Sequence, residues 1–305
     1  KPVSKLDSPV PVEVYSKTFF KANPTASVFE ALENINGIRP QLNCNVCNTG
    51  DIHINGQEGS YTMILIDGLP IVSGLSTVYG LSGIPQSLIE RVEIVKGPAS
   101  TLYGSEAVGG IINLITKLPE NTPSFSFDSF VSGWGEVNTD LGYKYKLSNK
   151  SIGLLGINYF NYSNPVDNNK DGFTDLTLQD RISIFNKFTF NNGLSLVGRF
   201  IYEDRWGGQM NWTPENRGRD SIYGESIYTT RIEIFGNYQL RQNYSLNFSF
   251  NDHSQNSAYG LNLFNANQII GFGQFVWNNN LKNHDILFGL SYRYTYYDDN
   301  TTASF

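Results

Sequence analysis

Charge is scarce in this sequence. Of its 305 residues only 16% are Asp, Glu, Lys or Arg, against about 25% in an average soluble domain. The formal net charge is −6, and no run of Lys and Arg forms the basic footprint of a nucleic-acid binder, so no such partner is expected. Long apolar runs are missing too. No stretch approaches the ~18 to 20 residues of a membrane helix, which excludes helical spans but leaves β-strands open. Lys1-Pro-Val-Ser-Lys-Leu-Asp7 has no apolar core of a signal peptide, and a leader, if made, is expected to have been removed. Histidine is limited to His53, His253 and His284, and no catalytic triad is read from them. The phosphate-binding pattern GxxxxGK[ST] is absent as well: Gly104-Ser105-Glu106 lacks the lysine. An enzyme is therefore not expected. Cysteine is limited to the pair Cys44-x-x-Cys47, a spacing compatible with a disulfide or a metal site.

Aromatic surface is abundant, with 18 Tyr and 20 Phe, and from Pro123 onward it is placed with a period of two. Leu141, Tyr143, Tyr145 and Leu147 alternate with Gly142, Lys144 and Lys146. Tyr244, Leu246, Phe248 and Phe250 alternate with Ser245, Asn247 and Ser249. Phe288, Leu290, Tyr292, Tyr294 and Tyr296 alternate with Gly289, Ser291, Arg293 and Thr295. A soluble sandwich gives the same alternation; the connections separate the two readings. Short ones near 148–150, 191–193, 241–243 and 278–281 take turns with long ones near 162–177, 205–226 and 254–267. That rhythm, with about nine strands of roughly 10 to 14 residues, is the pattern of a transmembrane β-barrel.

Residues 1–120 read differently, as a small α+β domain. Val10, Val12 and Val14 alternate as in a strand. Asn23-Pro24 reads as a helix start, Val28, Leu32 and Ile35 recur at helical spacing, and Gly37 sits where a C-terminal cap belongs. This predicts a helix over most of 25–35. Further strands are expected at 62–67, 92–96 and 111–116, with the Gly-rich segment 97–110 holding residues at positive φ. One compact sheet is expected.

The segment from Ile84 to Lys117, IPQSLIERVEIVKGPASTLYGSEAVGGIINLITK, closely resembles the end of the plug domain of TonB-dependent outer-membrane receptors. Two weaker elements precede it in the same order: Ser27–Gly37, and Ile52–Pro70 with its Leu-Ile-Asp-Gly-Leu-Pro. The texture of 56–85 is similar to that of the Bacteroidetes branch. The resemblance implies a plug at 1–120 and the N-terminal portion of a transmembrane β-barrel at 121–305, an incomplete barrel of about nine strands out of an expected 22. It implies an outer-membrane location, outer-membrane lipid and TonB as partners, and a surface lipoprotein as a further one. The cargo would be a scarce small molecule or metal chelate such as cobalamin, haem or a siderophore. No TonB box is visible; Ser8–Tyr15 resembles the first plug strand. An odd count of nine strands, too few to enclose a plug, leads to the expectation of about thirteen further strands from the same gene product. The alternative is a receptor-derived accessory barrel that no longer transports.

Candidate site residues follow. In the family the connection around Cys44 and Cys47 lies near the plug apex, which makes Asn45, Asn48, Ser76 and Tyr79 candidates for touching ligand. The two cysteines are read as a disulfide, a soft-metal pair or free thiols. Trp206 and Trp212 read either as a stacking platform for ligand or as interfacial aromatics. Asp167, Asn169, Asp171, the Phe173 carbonyl and Asp175 repeat the first nine positions of a calcium loop, with Gly172 at position six. Position twelve is Leu178 instead of Glu. A structural calcium site and a plain acidic turn both fit.

Overall fold

The computed structural model describes residues 11–44, 46, 49–70, 81, 83–98, 103–281 and 284–301. The chain divides into two units, residues 1–43 with 48–122, and residues 44–47 with 123–305.

The first unit is built on a five-stranded sheet in the order β1-β6-β7-β4-β5. Its strands are β1 (Val12–Ser16), β4 (Thr62–Ile66), β5 (Leu69–Pro70), β6 (Ile89–Lys96) and β7 (Gly110–Thr116). All of β4 is buried, which is why Met63-Ile64-Leu65-Ile66 reads as an unbroken apolar run: both faces of the strand are covered. Met63 and Leu65 pack with Ala107 and Ile111, while Ile64, Ile66, Leu88, Val92, Ile94, Ile112 and Leu114 are buried as well. The turn from β4 to β5 is made by Asp67 and Gly68 at φ 51° and 80°, the left-handed pair that tight hairpins need. Asp67 is tied down further: its carboxylate accepts from Thr116 N at 2.8 Å and Thr116 Oγ1 at 2.7 Å.

A second sheet, of β2 (Ile38–Cys44) and β3 (Thr49–Ile54), accompanies the first, so the expectation of one sheet is corrected to two. The helical segment is also shorter than expected. It runs from α2 (Val28–Ala31) into a 3-10 turn at Leu32–Asn34, after a separate α1 (Lys17–Ala22). Asn23-Pro24 lies before it; Ser27 is the cap, its Oγ accepting from Glu30 N while Glu30 Oε2 accepts from Ala26 N. Ser-x-x-Glu satisfies the first-turn donors from both sides, and this fixes the start three residues later. The glycine-rich segment behaves as expected: Gly97, Gly104 and Gly110 have φ of 139°, 79° and 148°. At Gly110 a Cβ would lie 2.4 Å from the Val95 carbonyl oxygen, so the close approach of β7 to β6 admits only glycine there.

The second unit is an antiparallel sheet of nine strands, each paired with the next in sequence. They are β8 (Phe125–Val131), β9 (Val137–Ser148), β10 (Ser151–Tyr162), β11 (Leu178–Phe190) and β12 (Leu194–Gly208), then β13 (Gly224–Arg241), β14 (Tyr244–Tyr259), β15 (Asn262–Leu281) and β16 (His284–Asp299). Among the described residues no pairing joins β8 to β16. The long connection expected at 254–267 is instead strand on both sides of a two-residue turn at 260–261, with Tyr259 opposite Asn262. There the apolar alternation gives way to Ser254, Asn256, Asn265 and Asn267, which read as loop although the backbone ladder continues. A ladder needs only N–H and C=O groups, and these polar side chains leave it intact.

Polarity across this sheet is the reverse of a water-soluble one. On β13, Ile232 and Ile234 are each 46% exposed, while Arg231 and Glu233 between them are 1% and 5% exposed. The same inversion sets Ile182 and Ile184 against Arg181 and Ser183 on β11, and Phe250 against Asn251 and His253 on β14. Water rewards polar-out packing; apolar-out alternation is stable where the outer solvent is hydrocarbon.

Candidate functional site

The buried face of the nine-stranded sheet carries a ladder of polar side chains that crosses six strands. It begins with Asn158 on β10, whose Nδ2 donates to Asn138 Oδ1 at 2.9 Å and Asp140 Oδ1 at 2.7 Å on β9. Arg181 on β11 reaches Asn158 Oδ1 at 3.5 Å and stands 3.7 Å from Glu203 of β12. Its guanidinium also covers the Phe160 ring at 5.2 Å. Glu203 is shared with Arg205 at 3.6 Å and accepts from Gln179.

A second knot lies further along the same face. Glu233 of β13 accepts from Arg199 Nε at 2.5 Å and Arg231 Nε at 2.7 Å, and from Asn251 Nδ2 at 3.3 Å. Arg231 Nη1 lies 3.5 Å from His253 Nδ1. Alternation explains the placing, since every second residue of neighbouring strands faces one side and the register aligns them. Charges this deeply buried persist only when partnered, and Glu203 and Glu233 each serve at least two donors. Among the described residues the buried Arg, Lys, Asp and Glu side chains of this sheet are Arg181, Lys187, Arg199, Arg205 and Arg231 against Asp140, Glu203 and Glu233, with His253 buried among them. Cations therefore outnumber anions on a wall screened from water.

The sequence pointed to other residues. Asn45, Cys47, Asn48, Ser76 and Tyr79 lie outside the described residues; Cys44 closes β2. Trp206 and Trp212 are brought together, with rings 4.8 Å apart and 28° from parallel. Their place is on the side away from the ladder: Trp206 alternates with buried Arg205 along β12. Trp212 folds down over Gly224, where a Cβ would meet its ring at 2.3 Å. The pair thus packs the 209–223 connection onto the outer side of β12 and β13.

The acidic segment forms a tight turn. Asp167 Oδ1 accepts from Lys170 N and Asp171 N, its Oδ2 from Gly172 N, and Asp171 Oδ1 from Phe173 N. Asn169 donates to Asp171 Oδ2 at 3.0 Å, and Asp175 Oδ2 accepts from Asn168 N at 2.7 Å. Backbone N–H groups thus occupy much of the oxygen set proposed for calcium. Among the described residues no three His, Cys, Asp or Glu side chains converge as a metal-binding group.

The ladder itself was missed in the sequence, although its signal was present. Arg231-Ile-Glu233-Ile sets its charges on the parity opposite to the isoleucines, and in Arg199-Phe-Ile-Tyr-Glu203 the charges oppose Phe200 and Tyr202 and share their face with Ile201. The apolar parity identifies the strands, whereas the charged parity shows its pairing only once the strands are in register.

Comparison with known proteins agrees with this architecture. Residues 4–111 match the TonB-dependent receptor plug domain family. Among solved structures, the ferric yersiniabactin uptake receptor FyuA from Yersinia pestis superposes with a TM-score of 0.70 at 14% identity, over 95% of this chain and 49% of that one. The siderophore receptor PiuA from Acinetobacter baumannii gives 0.68 at 17% identity, over 96% and 46%. The ferric-catecholate import receptor Fiu from E. coli K12 gives 0.65 at 14% identity, over 95% and 50%. The chain thus spans about half the length of the solved receptors it matches. Residues 4–111 of its first unit thus match the TonB-dependent receptor plug domain, and the nine strands that follow have the fold of part of these solved receptors.

Proposed function

We propose that this chain is part of an outer-membrane receptor that binds a scarce small molecule and imports it with energy delivered through TonB, without making or breaking a bond. The observation that carries this reading is the conjunction of a plug-family domain with a sheet whose exposed face is apolar and whose buried face is charged. The excess of Arg and Lys over Asp and Glu on that buried face favours an anionic cargo, and among the candidates an anionic metal chelate fits it best. The solved relatives named for ferric chelates agree with that choice. A calcium ion ordering the 167–175 turn belongs to the same proposal and rests on its sequence of oxygen-bearing residues. The experiment is growth of a deletion strain on candidate chelates as sole metal source, with the full-length gene restored, in the presence and absence of TonB. Restoration that requires TonB is expected. Growth unaffected by the deletion on every chelate overturns the import reading in favour of an accessory barrel.

A further inference from the structure

The exposed face of β14, β15 and β16 holds a slot with two chemically different halves. Its polar half is a cavity of about 350 Å³ where Ser254, Asn256, Asn265, Asn267, Asp298 and Asn300 meet. The register aligns them: Ser254, Asn267 and Asp298 stand opposite one another, and Asn256 opposite Asn265. Asn300 is pinned beside them by Asn265 N, which donates to its Oδ1 at 2.8 Å. Amides, a hydroxyl and the carboxylates of Asp298 and Asp299 line the cavity, with no Lys or Arg among the lining residues.

The apolar half lies further along the same strands, beyond the row of Asp252, Ile269 and Tyr296. Gly271 and Gly273 of β15 sit between Phe250 and Tyr294, and between Phe248 and Tyr292. A Cβ built on either glycine meets nothing within 4 Å. Phe248 leans the other way, its ring 2.8 Å from a Cβ position on Gly236 of β13, which leaves the Gly273 side clear. The result is a furrow with a glycine floor and aromatic walls, two strand spacings or about 10 Å from backbone to backbone.

We propose that this slot binds one outer-leaflet glycolipid, its sugar in the cavity and an acyl chain in the furrow. Sugar hydroxyls are donors and acceptors in equal measure, which matches a lining of amides, hydroxyl and carboxylate. An anionic phosphate headgroup does not match, because Asp298 repels it and no cation of the lining answers it. The acyl chain follows from the furrow's continuity with the apolar band: bare glycines between rings leave a channel that a single hydrocarbon chain fills by dispersion contact. The inference depends on the exposed face being lipid-facing, and is independent of what the receptor imports.

The test uses full-length protein in detergent, with lipid retention read by native mass spectrometry. The probes are a monoglucosyl diacylglycerol, phosphatidylglycerol and the free disaccharide maltose. Retention of the glucosyl lipid at least tenfold above phosphatidylglycerol is expected, with no measurable binding of maltose. Gly273→Leu fills the furrow and is expected to lower glucosyl-lipid retention tenfold; Asn267→Ala, in the cavity, lowers it severalfold. Gly198→Leu, at another open glycine three strands from Gly271, controls for general disturbance of the barrel. Equal retention of both lipids, or retention unchanged by Gly273→Leu, overturns the proposal, as does a Gly198→Leu loss as large as that of Gly273→Leu. Chelate-dependent growth that persists while lipid selectivity fails separates this inference from the import reading.

Discussion

Single side chains decide whether the buried face of the sheet is stable. Glu233 holds Arg199 and Arg231 together with Asn251, all of them buried. Glu233→Gln keeps the shape and removes the charge, leaving two guanidinium groups uncompensated, so a loss of about 3–5 kcal/mol is expected. Denaturant titration of folded, detergent-solubilised protein measures it, and a loss under 1 kcal/mol would mean that water already screens the cluster. In the plug, Ser27→Ala removes the cap that Ser27 Oγ provides to Glu30 N and is expected to cost about 1 kcal/mol. Faster amide exchange confined to 28–34 checks it. Gly224→Ala pushes a methyl group into the Trp212 ring, unstacking it from Trp206. A shift of Trp emission is the expected signature, and unchanged emission would refute the stacking.

At the scale of elements, the 163–177 connection divides two readings of one motif. Asp167 and Asp171 spend carboxylate oxygens on backbone N–H groups within the turn, which accounts for its shape without an ion. Calcium loops use such bonds too, keeping remaining oxygens for the metal. If calcium binds here, adding it to protein stripped with chelator slows proteolysis between 163 and 177, and Asp171→Ala abolishes that protection. Proteolysis indifferent to both shows an acidic turn and nothing more. The strands record a related lesson. β13 to β16 run 18, 16, 20 and 16 residues, longer than the sequence led one to expect. Their polar ends keep the backbone ladder after the apolar alternation has stopped.

For the whole molecule, the reversed polarity makes a test of the solvent that surrounds it. Ile234 faces outward between Phe250 and Gly198 in register. In hydrocarbon, Ile234→Arg costs about 2–4 kcal/mol near the bilayer midplane. In water the same change at an exposed position is worth within about 0.5 kcal/mol. Folding yield into lipid vesicles compared with the parent protein distinguishes them. Equal yields, together with solubility lacking detergent, would return the sheet to the class of soluble β-proteins.

The sequence by itself determined a good deal. The ordered string from Ile84 to Lys117 identified the plug, because its glycines and alternating aliphatics report local backbone demands that only a few conformations meet. Nine strands were countable from period two, since alternation is a property of each strand alone. Tertiary structure decided what depended on neighbours. Which charges meet is set by register between strands up to 83 residues apart, as for Lys96 and Glu13 in the plug, and on the barrel wall for Arg199 and Glu233 across β12 and β13. The α2 start moved to Ser27 because a reciprocal cap outweighed Asn23-Pro24. The polar stretch 254–267 stayed in the ladder because its partners on both sides held it there. Trp206 and Trp212 met because a loop folded back over Gly224. Pairing energies of this kind act between segments remote in the chain, and no local window of sequence contains them.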